Sequence, residues 1–386
     1  MIITKDVKYI GVNDYKTDLF EGQFKIPKGI SYNSYIILDD KIAVLDTVDY
    51  AFKDEWLKNI DDELGGKKPD YLIIHHMEPD HSSNIMSFLD VYPNASVVAS
   101  AKAFEMMKQF YNNDLSINGI VIKEGDKLSL GKHSLEFIEA KMVHWPEVVV
   151  SYDCYDKILF SADAFGKFGA LDHKDDWTIE ARRYYIGIVG KYGRPVEILL
   201  NKVSKFDISI ICPLHGPVLN ENLGYYINLY KSWASYEPED DGIVIAYSSV
   251  YGNTKECVIK LSDEIKKLNY NNVYLYDLAR TDMSFVVTEA FRYSKLVLAS
   301  PTYNADVFPH MREFINHLVS RDFKNRTVAL IENGCWSLRA NYTMKEMLSK
   351  CRCLNILPLE ISIYSRINEE NKKEIYNLAL ELVNNN

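Results

Sequence analysis

From Ile243 onward, short apolar runs alternate with amphipathic stretches of helical period, five times over. Residues 243–247, 273–276, 296–300, 327–331 and 354–361 read as strands. Residues 254–268, 285–292, 311–319, 341–349 and 369–383 read as helices. No other feature constrains the fold as tightly. A helix between two strands forces a crossover, so the second strand lies parallel to the first. Five such units predict a doubly wound, parallel, five-stranded sheet, with ligand loops at the C-terminal ends of its strands.

The preceding residues follow a different pattern. Runs at 34–38 and 42–46, separated by Asp39-Asp40, read as a hairpin. Further strands are expected at 71–75, 96–99, 135–140, 148–152, 158–161 and 208–212, with helices at 52–64, 83–89, 101–111 and 196–205. This predicts an α/β fold of sheets covered by helices, a layered sandwich. A charged, proline-containing run ending in glycine, Tyr236 to Gly242, has linker chemistry and sets the expected domains at 1–242 and 243–386. Charge divides there too: residues 1–242 carry 26 Lys and Arg against 38 Asp and Glu, the rest 18 against 16.

A net charge of −10 argues against a general nucleic-acid partner, which needs a basic face. No window has the apolar length of a membrane helix, and the N-terminus has no signal-like pattern. The six cysteines form no disulfide framework, so a reducing, cytoplasmic setting is expected.

The densest chemistry lies in Ile73 to Asn84. His76, Glu78, Asp80 and His81 form H-x-E-x-D-H on a loop that leaves a strand and enters a helix. Four ligand types in six residues point to metal. His144, Asp163 and His215 each stand at or just past a later strand end, which brings the set to four imidazoles and three carboxylates. Seven ligands suit two metals with one bridging carboxylate. Imidazole and carboxylate accept iron, manganese or zinc. The carboxylate at Glu78 adds negative charge and favours a ferric, redox-active centre over zinc.

In the second half, the loop Ser249, Val250, Tyr251, Gly252, Asn253, Thr254 joins the first strand to its helix. Small hydroxyls, a glycine and a helix N-terminus suit a phosphate, and the lack of lysine favours a flavin monophosphate over a triphosphate. Pro301, Thr302, Tyr303, Asn304 and Ala305 follow the third strand; Asn333, Gly334, Cys335 and Trp336 follow the fourth. Any one loop could be a capped helix start or a packed aromatic. Three in register make an FMN site.

Together these motifs resemble the flavodiiron proteins, over essentially the whole chain. His144-Trp145-Pro146 and Asp163-Ala164-Phe165-Gly166 match as well as the ligand series. The resemblance implies a metallo-β-lactamase-like αββα domain followed by a flavodoxin-like domain, in the minimal two-domain class. It assigns His76, Glu78 and His144 to one iron, Asp80, His81 and His215 to the other, and Asp163 to the bridge. His75 falls outside the series and is read as packing or as holding a ligand. Tyr32 and Phe165 are candidate pocket residues by motif position.

The implied reaction is reduction of O2 to water, of NO to N2O, or both. Two ferrous ions and a reduced flavin together hold the four electrons that O2 needs. A head-to-tail homodimer, or a dimer of such dimers, would bring FMN to the partner's irons. Rubredoxin or a reduced deazaflavin would supply electrons. The alternative is a zinc hydrolase of the metallo-β-lactamase fold fused to a flavodoxin-like domain.

Overall fold

The computed structural model describes residues 1–173 and 176–385. The chain divides into two compact units, Met1–Ala234 and Ser235–Asn386. The run expected to be a linker contributes to the second unit. Strand Asp240–Tyr247 starts inside it, because Asp240 pairs with Arg292 and Asp241 with the buried Lys295.

The first unit is built on a six-stranded and a five-stranded sheet. Strands Tyr35–Ile37 and Ala43–Leu45 form the expected hairpin. Ala43–Leu45, Tyr71–Ile73 and Ser96–Ser100 then run parallel. In the second sheet, Ser134–Glu139, Val149–Asp153 and Ile158–Phe160 are antiparallel neighbours, and Ile210–Cys212 joins parallel at the edge. The inward faces meet in one apolar core holding Tyr35, Leu45, Ile73 and Val98 from one sheet and Phe137, Val149 and Phe160 from the other. Truncating a buried aromatic such as Phe160 to alanine would cost about 3–5 kcal/mol. Helices Lys53–Leu64, Ala101–Tyr111 and Gly193–Val203 each bury one apolar stripe.

The second unit carries five strand positions in the order two-one-three-four-five, all parallel. The fifth differs from expectation. It is split into Leu354–Ile356 and Ile361–Tyr364, each pairing with Arg326–Gly334. Pro358 lies in the gap and has no N–H to continue the ladder. A short antiparallel strand, Asp306–Val307, folds back on the third.

Candidate metal centre and flavin cleft

The metal ligand candidates leave the first unit's sheets from four strand ends. His76, Glu78, Asp80 and His81 follow strand Tyr71–Ile73, with Asp80 and His81 on the short helix Pro79–Ser82. His144 lies in the turn before Val149–Asp153, Asp163 follows Ile158–Phe160, and His215 follows Ile210–Cys212. Ala162 and Phe165, both in the left-handed region at φ 50° and 67°, bend the chain around Asp163.

The structure brings all seven together in two groups: His76, Glu78, His144 and Asp163, and Asp80, His81 and His215. Asp163 reaches both. Its Oδ2 lies 3.2 Å from Nε2 of His76 and of His144, and its Oδ1 lies 3.5 Å from Nε2 of His81 and 3.7 Å from that of His215. Glu78 Oε2 is 3.0 Å from His144 Nε2, and Asp80 Oδ2 is 3.3 Å from Nε2 of both His81 and His215.

Neighbours aim the imidazoles. His76 Nδ1–H donates to Glu147 Oε1 at 2.8 Å, and His215 Nδ1–H donates to the Ser31 carbonyl at 2.8 Å. With Nδ1 carrying the proton, Nε2 presents its lone pair to the centre. His81 and His215 then face each other Nε2 to Nε2 at 3.0 Å. Both carboxylate oxygens of Asp80 and of Asp163 are buried with no hydrogen-bond donor. Converging lone pairs and donorless buried carboxylates are costly unless a cation sits among them. The donor set therefore fits two metal ions.

Electrostatics agree. Burial opposes charge on His76, yet Asp163, Glu147 and Glu78 hold its imidazole well above the usual range. His144 is likewise pushed up to about 9 against the effect of burial, by Asp163 and Glu78. Against the cost of burial, the imidazoles hold Glu78 and Asp163 below the ordinary carboxylate range.

In the second unit a cleft of about 520 Å³ opens at the C-terminal ends of the strands. Ser249, Val250, Tyr251, Asn253 and Thr254 line it, with Pro301 to Ala305 and Asn333 to Trp336. Gly252 is not a lining residue. It caps helix Asn253–Lys267 at φ 95°, which lets Ser249 Oγ accept from the amides of Gly252 and Lys255. Thr302 Oγ1 accepts from the Arg339 and Ala340 amides and ties the second loop to the third. No lining residue is charged, and Ser248 Oγ behind the loop is buried without a partner. Volume, hydroxyls and helix terminus fit a flavin monophosphate.

Residues 30–216 match the family model described as ODP family beta lactamase, and residues 244–351 match that of a flavodoxin domain. The nitric oxide reductase of Moorella thermoacetica is 29% identical over 360 residues, 91% of this chain and 90% of that one. The anaerobic nitric oxide reductase flavorubredoxin of Salmonella typhi is 27% identical over 349 residues, 87% of this chain and 72% of that one. The crystal structure of the flavodiiron protein from Giardia intestinalis superposes with a TM-score of 0.92 at 25% identity, covering 98% of this chain and 95% of that one. In both domains, and over nearly its whole length, the chain is similar to that flavodiiron protein.

Some residues at the two sites stand outside the motifs above. Glu147, buried beside the His144 motif, aims His76 and accepts the Met77 amide; its place after His144-Trp145-Pro146 was a usable signal. Ser31, Phe20 and Tyr184 surround His215 and carry no local signal. Ser337 and Ser365 complete the flavin cleft, Ser365 from the end of the fifth strand position. His75 holds no ligand. Its Nδ1 pairs with Asp46 and its Nε2 with Ser151, which anchors the loop from behind. Tyr32 does approach His215, with ring centroids 5.9 Å apart, whereas Phe165 stacks on Tyr230 at 4.2 Å. Among the described residues, no helix is long and apolar enough to cross a membrane.

Proposed function

We propose that this protein is an oxidoreductase that reduces O2, NO or both at a pair of iron ions, with electrons relayed through FMN. One observation carries the reading: Asp163 reaches across two ligand groups with both oxygens free of donors. His76, Glu78 and His144 would hold one iron, Asp80, His81 and His215 the other, and Asp163 would bridge. The loops 249–254, 301–305 and 333–336 would hold FMN.

When bound, the irons supply electrons and Lewis acidity to the gas, and FMN supplies further electrons. The chain's own task is to place and shield them. Glu147 and the Ser31 carbonyl keep Nε2 of His76 and His215 pointed inward. Phe20, Tyr32 and Tyr184 set their rings around His215 and keep bulk water from that side. Tyr251 and Trp336, 93% and 90% exposed, are free to cover a flat ring.

The working form proposed is a head-to-tail dimer, in which FMN of one protomer serves the irons of the other. The donor proposed is a rubredoxin-class protein or a reduced deazaflavin. Six free cysteines suit a cytoplasmic setting.

The test is iron and FMN analysis followed by O2 and NO electrode assays with one reductant chain, each gas alone. The expected result is two irons and one FMN per chain with sustained loss of at least one gas. Zinc at the site, with neither gas consumed by the iron- and FMN-loaded protein, would overturn the reading.

A further inference from the structure

Tyrosine and tryptophan rings extend from His215 towards solvent in two stretches joined by the peptide bond between Tyr184 and Tyr185. Tyr184 lies 5.5 Å from His215, centroid to centroid. Its chain neighbour Tyr185 lies 5.2 Å from Trp233. Trp233 stacks on Trp177 at 6.0 Å and 14°, Trp177 meets Tyr226 at 4.8 Å, and Tyr226 meets Tyr225 at 5.4 Å. Tyr184 and Tyr185 are buried; Tyr225 is 52% exposed and its hydroxyl lies 2.7 Å from Thr178 Oγ1.

Among the described residues such a run occurs in the first unit, which also holds four of the five tryptophans. The second unit is equally rich in tyrosine. Among its described residues, ring contacts stop at the pairs Tyr274–Tyr293 and Phe291–Phe323 and at Tyr303–Phe308–His310. None of these links a buried polar centre to the surface. The side chains in the first unit's run are also those that oxygen-derived oxidants can oxidise by one electron. Tryptophan does so without losing its proton, and Trp177 Nε1 is buried with no acceptor for one.

We propose that this run drains oxidising equivalents from the metal site to the surface when a turnover with O2 stops at peroxide. The inference rests on the diiron reading of the site. One electron passes from Trp233 to the centre by way of Tyr185 and Tyr184, Trp177 refills Trp233, and Tyr225 refills Trp177 through Tyr226 while its phenol proton passes to solvent. A thiol at the surface returns an electron and a proton to Tyr225. Over two passes one peroxide takes two electrons and two protons and becomes two waters, while two thiols become one disulfide.

The test treats iron- and FMN-loaded protein with hydrogen peroxide and a nitroso spin trap, then maps trap adducts and oxidised histidines by peptide mass spectrometry. In the wild type, adduct is expected on the Tyr225–Tyr226 peptide, and added glutathione suppresses it. In the W177F/W233F double variant that adduct falls to background, while oxidation of His81 and His215 and loss of iron both rise. Initial gas turnover stays at the wild-type level. The single variant W177F, which keeps Trp233 in the core, moves the same way if the double variant does not fold. Trp56→Phe, which removes a buried tryptophan outside the run, leaves the pattern unchanged. Equal adduct and equal histidine oxidation in wild type and the Trp177 variants would overturn the relay and leave the diiron reading standing. A chain that takes up no iron would sink both.

Discussion

The metal centre is closed and rich in charge, whereas the flavin cleft is open and lined by uncharged residues. His76, His81 and Asp163 are fully buried, Glu147 fixes the His76 imidazole, and carboxylate charge is concentrated among them. The cleft in the other unit has no charged lining residue and leaves Tyr251 and Trp336 in solvent. The difference follows from what each ligand brings. A small cation touches only a few donor atoms, so the precision of its site rests on the scaffold that holds them. A flavin brings a large flat ring, and covering aromatics can find it when it binds.

The largest effect should come from Asp163, because it serves both ligand groups. Asp163→Asn keeps the volume but removes the charge that both groups share. We expect at least one iron to be lost and gas reduction to fall to the background of flavin autoxidation, with FMN content unchanged. Metal analysis and electrode assays check this. Retention of both irons with full turnover would remove Asp163 from the bridge. Glu147→Gln tests the layer behind. The amide oxygen can still accept from His76 but no longer raises its basicity, so metal affinity should fall about 10-fold, the low end for such a neighbour. Competition with a chelator measures it.

The pH response separates the units further. In metal-free protein His144 is raised to about 9 by Asp163 and Glu78 acting against burial, whereas in the unfolded chain it returns to about 6.5. A raised base contributes stability that is full below the unfolded value and lost as pH climbs through the folded one. The metal-free first unit should therefore melt at progressively lower temperature from about pH 6.5 to 9. Iron uptake in that window should release protons and tighten as pH rises. Calorimetry of metal-free and loaded protein reads both. A melting temperature of the metal-free first unit that stays level or rises across that window would contradict the assignment.

How far the sequence disclosed this contrast depended on whether the signal was local. The loop from His76 to His81 was legible because four ligand types fall within six residues after an apolar strand. The flavin loops were legible because a parallel sheet places ligands only at its strand ends. Helix Trp177–Tyr184 escaped notice because it buries Arg182 and Arg183. Arg183 is held by Glu180 and lies over the Phe168 ring, 4.4 Å from its centroid, a tertiary solution that no hydrophobic periodicity reveals. Helix Leu223–Ser235 buries Tyr230 and Trp233 but is otherwise a mixed surface. The N-terminal strands are two or three residues long, too short to show alternation. Residues 354–361 read as one strand because Pro358 is a single interruption in an apolar run, yet one missing donor is enough to divide it.

The smallest effect bears on the open cleft. Trp336 is 90% exposed and lies in the loop after the fourth strand, so removing it disturbs little of the folded chain. If the ring only stacks on bound flavin, Trp336→Ala should cost about 0.5–1.5 kcal/mol of FMN affinity, about two- to tenfold in Kd. Iron content and the melting of the first unit should not change. Flavin fluorescence titration of the FMN-stripped protein gives the number. A loss far beyond tenfold would mean that Trp336 organises the loop before the flavin arrives, and that the cleft rests on its scaffold as the metal centre does. No loss at all would assign the exposed ring to a protein surface docked over the cleft, and a rubredoxin-class donor should then reduce the variant more slowly at equal FMN loading.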